Sequence, residues 1–150
     1  MKNVVKTLGI GLMVISALIV AVAVRADAPA GRYQVDVDTV YDTKTKLTWQ
    51  RVHAPGTMTQ SNAIAYCLGL NLNGLGWRLP AVKEISSLVD LSIASPAAAI
   101  DPAFTGSPSD YFWSASPRAG PPDQGWVIDF SGGYVNIDFL TSTFHARCVR

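Results

Sequence analysis

The chain has 150 residues, 49% of them hydrophobic, with twelve Lys and Arg against eleven Asp and Glu. A balance this close to neutral excludes nucleic acid as an electrostatic partner, because phosphate recognition needs massed cations. The length fits one folded domain, able to bury roughly two thirds of its unfolded surface.

Residues 1–26 read as a signal peptide. Lys2 and Lys6 open it, an uncharged apolar run from 8 to 24 follows, and Val24-Arg25-Ala26 closes it with a cleavage pattern. Cleavage after Ala26 is expected, giving a mature domain 27–150; a cut after Ala28 would leave Pro29 on the far side. The competing reading is an uncleaved anchor, since the run approaches the roughly 18 apolar residues that span a bilayer. No cysteine stands directly after the run, which argues against a lipid anchor. Loss of Lys2, Lys6 and Arg25 leaves nine basic against eleven acidic side chains, a balance of −2. The expected localisation is periplasmic or secreted, with no membrane contact after cleavage.

Past an Ala/Pro/Gly linker, Tyr33, Val35 and Val37 alternate with Gln34, Asp36 and Asp38, the pattern of a half-buried strand. Val40-Tyr41, the polar stretch 42–46 and residues 47–52 read as a hairpin with Leu47, Trp49 and Arg51 on one face. Thr57 with Gln60 predicts a capping box, followed by a helix whose apolar side carries Ala63, Ile64, Cys67 and Leu68. Gly69 and the Asn/Gly run 71–76 end that helix.

Residues 74–90 form the corner around which the rest is expected to organise. Trp77 is a large apolar anchor, and Pro80 holds Leu79 extended and starts a helix at or just after itself. Ile85, Leu88 and Val89 recur at helical spacing, and Glu84 in the first turn offsets the helix dipole. Residues 91–109 are irregular, with three prolines and an alanine run. Residues 111–116, 126–130, 134–139 and 145–150 read as four strands, the middle pair joined at Ser131-Gly132-Gly133. Strands before and after two helices predict an α+β domain with an antiparallel sheet, two helices and long irregular loops.

The corner at 74–90, with Tyr66-Cys67, 111–114, 126–130 and 147–150, resembles the Legionella collagen-like protein C-terminal domain family from about Asp42 to the end of the chain. The resemblance implies a C-type-lectin-like fold, similar also to the formylglycine-generating enzymes, and an anchor at 100–104 that tucks Ile100 and Phe104 into the core. It places a glycine where this chain has Lys46, so a turn requiring positive φ there would be strained. It places Thr or Ser where this chain has Ala81, a lost helix cap worth about 1 kcal/mol. No Gly-X-Y repeat is present, so the collagen stalk in the family's name has no counterpart here.

Cys67 and Cys148 are the only cysteines, and an even pair in an exported chain is expected to form a disulfide. It would tie the first helix to the last strand, which the family arrangement also implies. The competing reading, a redox or catalytic thiol, is opposed by the absence of Cys-x-x-Cys and by the apolar face that carries Cys67. With both cysteines in a bridge, the reactive pair of the formylglycine-generating enzymes is not available.

His53 and His145 belong to no spaced metal motif and read as surface or sheet-edge residues; no metal and no cofactor are predicted. Asp101, Asp110, Asp129 and Asp138 are candidates for a glycosidase dyad, or for turn hydrogen bonding. The tripeptides of calcium-dependent lectins (Glu-Pro-Asn, Gln-Pro-Asp, Trp-Asn-Asp) are absent, so no calcium site is expected. A sugar would then be held by stacking on Tyr111, Trp113 or Trp126, with Asp110, Arg118 and Asp123 as polar partners. The competing reading makes the tryptophans core and the others loop residues.

The expected function is an exported, non-catalytic recognition module that binds a glycan or a surface protein through loops 91–109 and 117–125. One alternative is a carboxylate-based hydrolase, which needs carboxyl groups ~5 to 9 Å apart. Another is an adhesin for glycosaminoglycans, which needs a basic patch assembled from Arg51, Arg78, Arg118 and Arg147.

Overall fold

The computed structural model describes residues 29–93 and 95–150. The expected leader and its cut after Ala26 lie outside these residues. The architecture is α+β. Strands β1 (Tyr33–Val35), β2 (Thr39–Asp42) and β3 (Leu47–Gln50) form one antiparallel sheet, helices α1 (Gln60–Gly69) and α2 (Val82–Ser86) follow, and β4 (Tyr111–Trp113), β5 (Gln124–Asp129) and β6 (Tyr134–Phe139) form a second. Among the described residues no helix is long and apolar enough to cross a membrane.

The two sheets are joined through residues 144–150, which run between them in extended form. On one side Phe144 exchanges backbone hydrogen bonds with Met58, the carbonyl of Ala146 accepts from Ala54, that of Cys148 accepts from Gln50, and Arg150 exchanges bonds with Thr48. On the other side His145 bonds to Tyr111 and Trp113, and Val149 exchanges bonds with Arg78. Because a strand turns alternate side chains to opposite faces, this segment contributes to two cores. Ala146 and Cys148 join Trp77, Trp113, Val127 and Ala63; Val149 joins Trp49, Phe112, Ile128, Ile85 and Phe104. The tail appears only as isolated bridges to its neighbours, not as the regular strand 145–150 that its sequence predicts.

The corner at 74–90 folds largely as its sequence dictates. Trp77 is buried, and its indole N–H lies 3.0 Å from the Gly74 carbonyl and 3.2 Å from that of Leu72. Gly74 is required there: its φ is +119°, and a Cβ would stand 2.9 Å from the Arg150 guanidinium, which lies over the Trp77 ring. Helix α2 begins after Pro80 and buries Ile85, with Leu88 following in the next turn.

Ala81 has no side chain with which to cap α2, and two other residues substitute for it. The Glu84 carboxylate accepts from the Ala81 amide at 2.7 Å, and the Ser116 hydroxyl, from the segment after β4, accepts from the Val82 amide at 2.9 Å. Glu84 also receives both terminal nitrogens of Arg78 at 2.7 Å; this, ahead of the opposing effect of burial, keeps its carboxyl below the usual range. Ser116→Ala is therefore expected to lower stability by about 1 kcal/mol, the usual value of a helix cap. Chemical denaturation would show it as a lower midpoint at unchanged slope.

Three local expectations are corrected. The cap of α1 is Thr59, not Thr57, because Met58 is held extended by Phe144 and the helix cannot start before it. The buried side of α1 consists of Ala63 and Cys67, while Ile64 and Leu68 are exposed. In β1 only Tyr33 packs inward; Val35 and Val37 are exposed, since the sheet's covered face begins at β2. Lys46 does adopt a left-handed conformation, with φ +64°. The turn containing it is tied by Asp42, whose buried carboxylate accepts from the Lys44 amide and from Arg32. Burial alone would raise the Asp42 pKa, but these donors overcome it and hold it low.

Candidate functional site

The disulfide joins Cys67 on α1 to Cys148 in the tail, and both residues are fully buried. The chain's thiols are thereby consumed in a structural bridge.

The residues expected to meet a ligand do not converge. Tyr111 pairs with Asp129 at one end of the β4–β5 ladder, while Arg118 and Asp123 lie in the connection at the other end. Along β5 from Asp129 to Gln124, next to Asp123, there are five strand steps, about 17 Å. Asp110 is exposed, with its carboxylate accepting from the Tyr111 amide and lying 3.6 Å from the His145 ring. Tyr111 is half-buried against Phe144. Trp113 has no exposed surface, and its indole donates to the Met58 carbonyl at 2.8 Å, so it is core and offers no face for stacking. Arg118 donates to the Gln124 side chain. These last two residues, with Gln60, Ser116 and Leu140, border a polar depression of about 350 Å³ beneath the 115–123 connection.

Trp126 is placed differently. The buried tryptophans are Trp49, Trp77 and Trp113, at 0–1% exposure. Trp126 is half-buried on the face of β5 that looks toward α2, opposite Ile137 of β6. It lines an open groove of about 450 Å³ with Val82, Lys83, Ser86, Ser87 and Val135. Both serine hydroxyls donate to α2 carbonyls, Ser86 to Val82 and Ser87 to Glu84, leaving their lone pairs as acceptors. The α2 residues and Val135 were not legible as site residues. They belong to elements whose patterns predict packing, and alternation cannot tell a face that meets a core from one that meets solvent.

The carboxylates expected as a hydrolytic pair are engaged in turns. Asp101 accepts from Ala103, Asp129 from Ser131, and Asp138 from Phe139 and Ser142. Asp129 and Asp138 share a face of β5–β6 but stand four strand steps apart, about 14 Å, beyond the reach of a glycosidase dyad. Among the described residues no three His, Cys, Asp or Glu side chains are grouped to hold a metal ion.

The basic patch is not assembled as its sequence positions would allow. Arg78 is paired with Glu84, Arg51 points to the carbonyls of Asp36, Val37 and Ala103, and Arg147 is sealed in the interior. Arg147 donates to the carbonyls of Gln50 (2.8 Å) and Arg51 (2.6 Å) and to the Ser107 hydroxyl (2.6 Å), and lies over the Phe104 ring. Burial pushes its pKa down to about 9, which leaves it charged at neutral pH. Beside it, His53 and His145, both half-buried, meet edge to face at 5.0 Å. The His53 nitrogens face the carbonyls of Ala54 and Gly106, and burial, with the neighbouring His145 and Arg147, lowers its pKa.

The sequence model of the Lcl C-terminal domain matches residues 38–150, which takes in every element after β1. No curated protein matches the chain.

Proposed function

The chain belongs to the Lcl C-terminal domain family, and from that membership and the groove beside Trp126 we propose an exported, non-catalytic recognition module of C-type-lectin-like fold. Its ligand is a neutral glycan of a cell surface, held in the groove between α2 and the β5–β6 hairpin. The observation that carries this reading is the position of Trp126: three of the four tryptophans are core, and the fourth walls a surface groove. A sugar ring offers a C–H face that stacks on an indole and hydroxyls that hydrogen-bond at the margin. Val82 and Val135 extend the apolar wall, and Lys83, Ser86 and Ser87 form the polar margin. This reading shifts the binding surface from the late loops to the sheet. A disulfide as the sole use of cysteine accords with an oxidising compartment outside the cytoplasm.

A glycan array probed with the mature domain, followed by titration of the best binder, tests it. Trp126→Ala is expected to weaken binding at least about tenfold and Trp126→Phe less, both with the cooperative unfolding transition retained. Affinity should change by less than about threefold between roughly 50 and 200 mM salt, because few counterions are released. A glycan whose affinity is indifferent to Trp126, or steeply salt-dependent binding to heparin-like polymers, would overturn the proposal.

A further inference from the structure

Strand β6 has β5 on one side and no described strand on the other. Its side chains are unusually apolar for such an edge: Tyr134, Val135, Ile137 and Phe139 are all exposed. Natural sheets protect an exposed edge with charge, proline or a covering element, because unpaired backbone groups recruit other strands.

The backbone bonding shows which groups are open. Leu140 donates to the Asp123 carbonyl, while Ser114 donates to the carbonyl of Trp126 and Phe130 to that of Asp110. Odd-numbered residues of β5 therefore face β6, and even-numbered residues of β6 face β5, by the alternation of an antiparallel ladder. The amides and carbonyls of Val135, Ile137 and Phe139 point outward. Those of Phe139 are already engaged, its amide by the Asp138 carboxylate and its carbonyl by the Ser142 amide.

We infer that β6 pairs antiparallel with β6 of a second copy of this chain, about a two-fold axis at Asn136, to make one continuous six-stranded sheet. This register uses the outward groups of Val135 and Ile137, each opposite the other in the partner, and leaves the Phe139 backbone as it is. It sets Asn136 against its own copy in a non-hydrogen-bonded pair, about 4.5 Å between Cα atoms, where two carboxamides donate and accept reciprocally. Tyr134 falls opposite Asp138, a hydroxyl donor against a carboxylate. Phe139 falls opposite Gly133, whose flank is bordered by Val89 and the exposed Leu91. The neighbouring register centred on Asp138 would oppose two carboxylates, and one centred on Ile137 would pair Val135 with the occupied backbone of Phe139. A foreign peptide strand would find the same open backbone, but nothing about it calls for the self-complementary order Tyr-Val-Asn-Ile-Asp-Phe. A nearly neutral chain also adds little repulsion between copies.

Sedimentation equilibrium of the purified chain at roughly 0.1 mM tests the inference. A dimer mass is expected. Asn136→Asp and Asn136→Lys each place like charges across the axis and should raise the dimer dissociation constant at least about tenfold, and an equimolar mixture of the two should restore the dimer. Restoration in the mixture separates a lost interface from a damaged fold. A monomer at that concentration, an oligomer of another order, or a dimer that neither variant weakens would overturn it. Glycan binding through Trp126 is measured separately and stands or falls without it.

Discussion

Arg147→Ala is expected to destabilise the domain by about 3–5 kcal/mol, enough to prevent a chain of this size from accumulating. The cost comes from what the guanidinium leaves behind. Its three donated hydrogen bonds reach the Gln50 and Arg51 carbonyls and the Ser107 hydroxyl, and it fills the space against Phe104 and Phe112. Replacing a buried ionic group by a hydrophobe is often harmless when all its partners are replaced together. Here two partners are backbone carbonyls that no substitution removes, so their unmet desolvation remains. Arg147→Met should retain most of the packing and lose about 1–3 kcal/mol. Arg147→Lys keeps the charge but cannot present a planar fork to three acceptors, and should not rescue the loss. Urea denaturation of the three variants decides it: midpoints equal to that of the unmodified chain would mean that the buried charge costs as much as its hydrogen bonds return.

Removing the Cys67–Cys148 bridge is expected to cost about 4 kcal/mol. The cysteines are 81 residues apart, so in the chain-entropy model the bridge deprives the unfolded ensemble of much of its freedom. The consequence for this fold is greater than a single tie. Cys148 sits in the segment that hydrogen-bonds to β3 on one side and, through Val149, to Arg78 on the other, so the bridge fastens α1 to the element that unites the two sheets. The paired substitution Cys67→Ala with Cys148→Ala should lower the denaturation midpoint strongly at neutral pH. Reductant should lower the midpoint of the unmodified chain to a similar degree and leave that of the variant unchanged. Equal midpoints with and without reductant in the unmodified chain would show that the bridge adds no stability.

The sequence by itself determined the local grammar of this protein. Pro80 places the start of α2, the polar run 42–46 turns β2 into β3, and Ser131-Gly132-Gly133 closes the β5–β6 hairpin, because each acts through the dihedral angles of a few consecutive residues. Burial of Trp77 and the pairing of the two cysteines were legible for a similar reason: large apolar area and a lone cysteine pair leave few alternatives, while burial of Ile100 and Phe104 was implied by the family resemblance. The family resemblance was carried by the corner at 74–90 together with Tyr66-Cys67, 111–114, 126–130 and 147–150. Tertiary structure alone decided the rest. An arginine near the end of the chain reads as a surface cation, yet Arg147 lies in the interior because its neighbours in the tail pair on both edges and its side chain meets carbonyls from residues nearly a hundred positions away. The hydroxyl that α2 lacks at Ala81 arrives from Ser116, and no local pattern could supply it. The alternating apolar residues of β6 predict a covered face, but whether anything covers them depends on which strand ends the sheet, a property of chain topology and not of the strand.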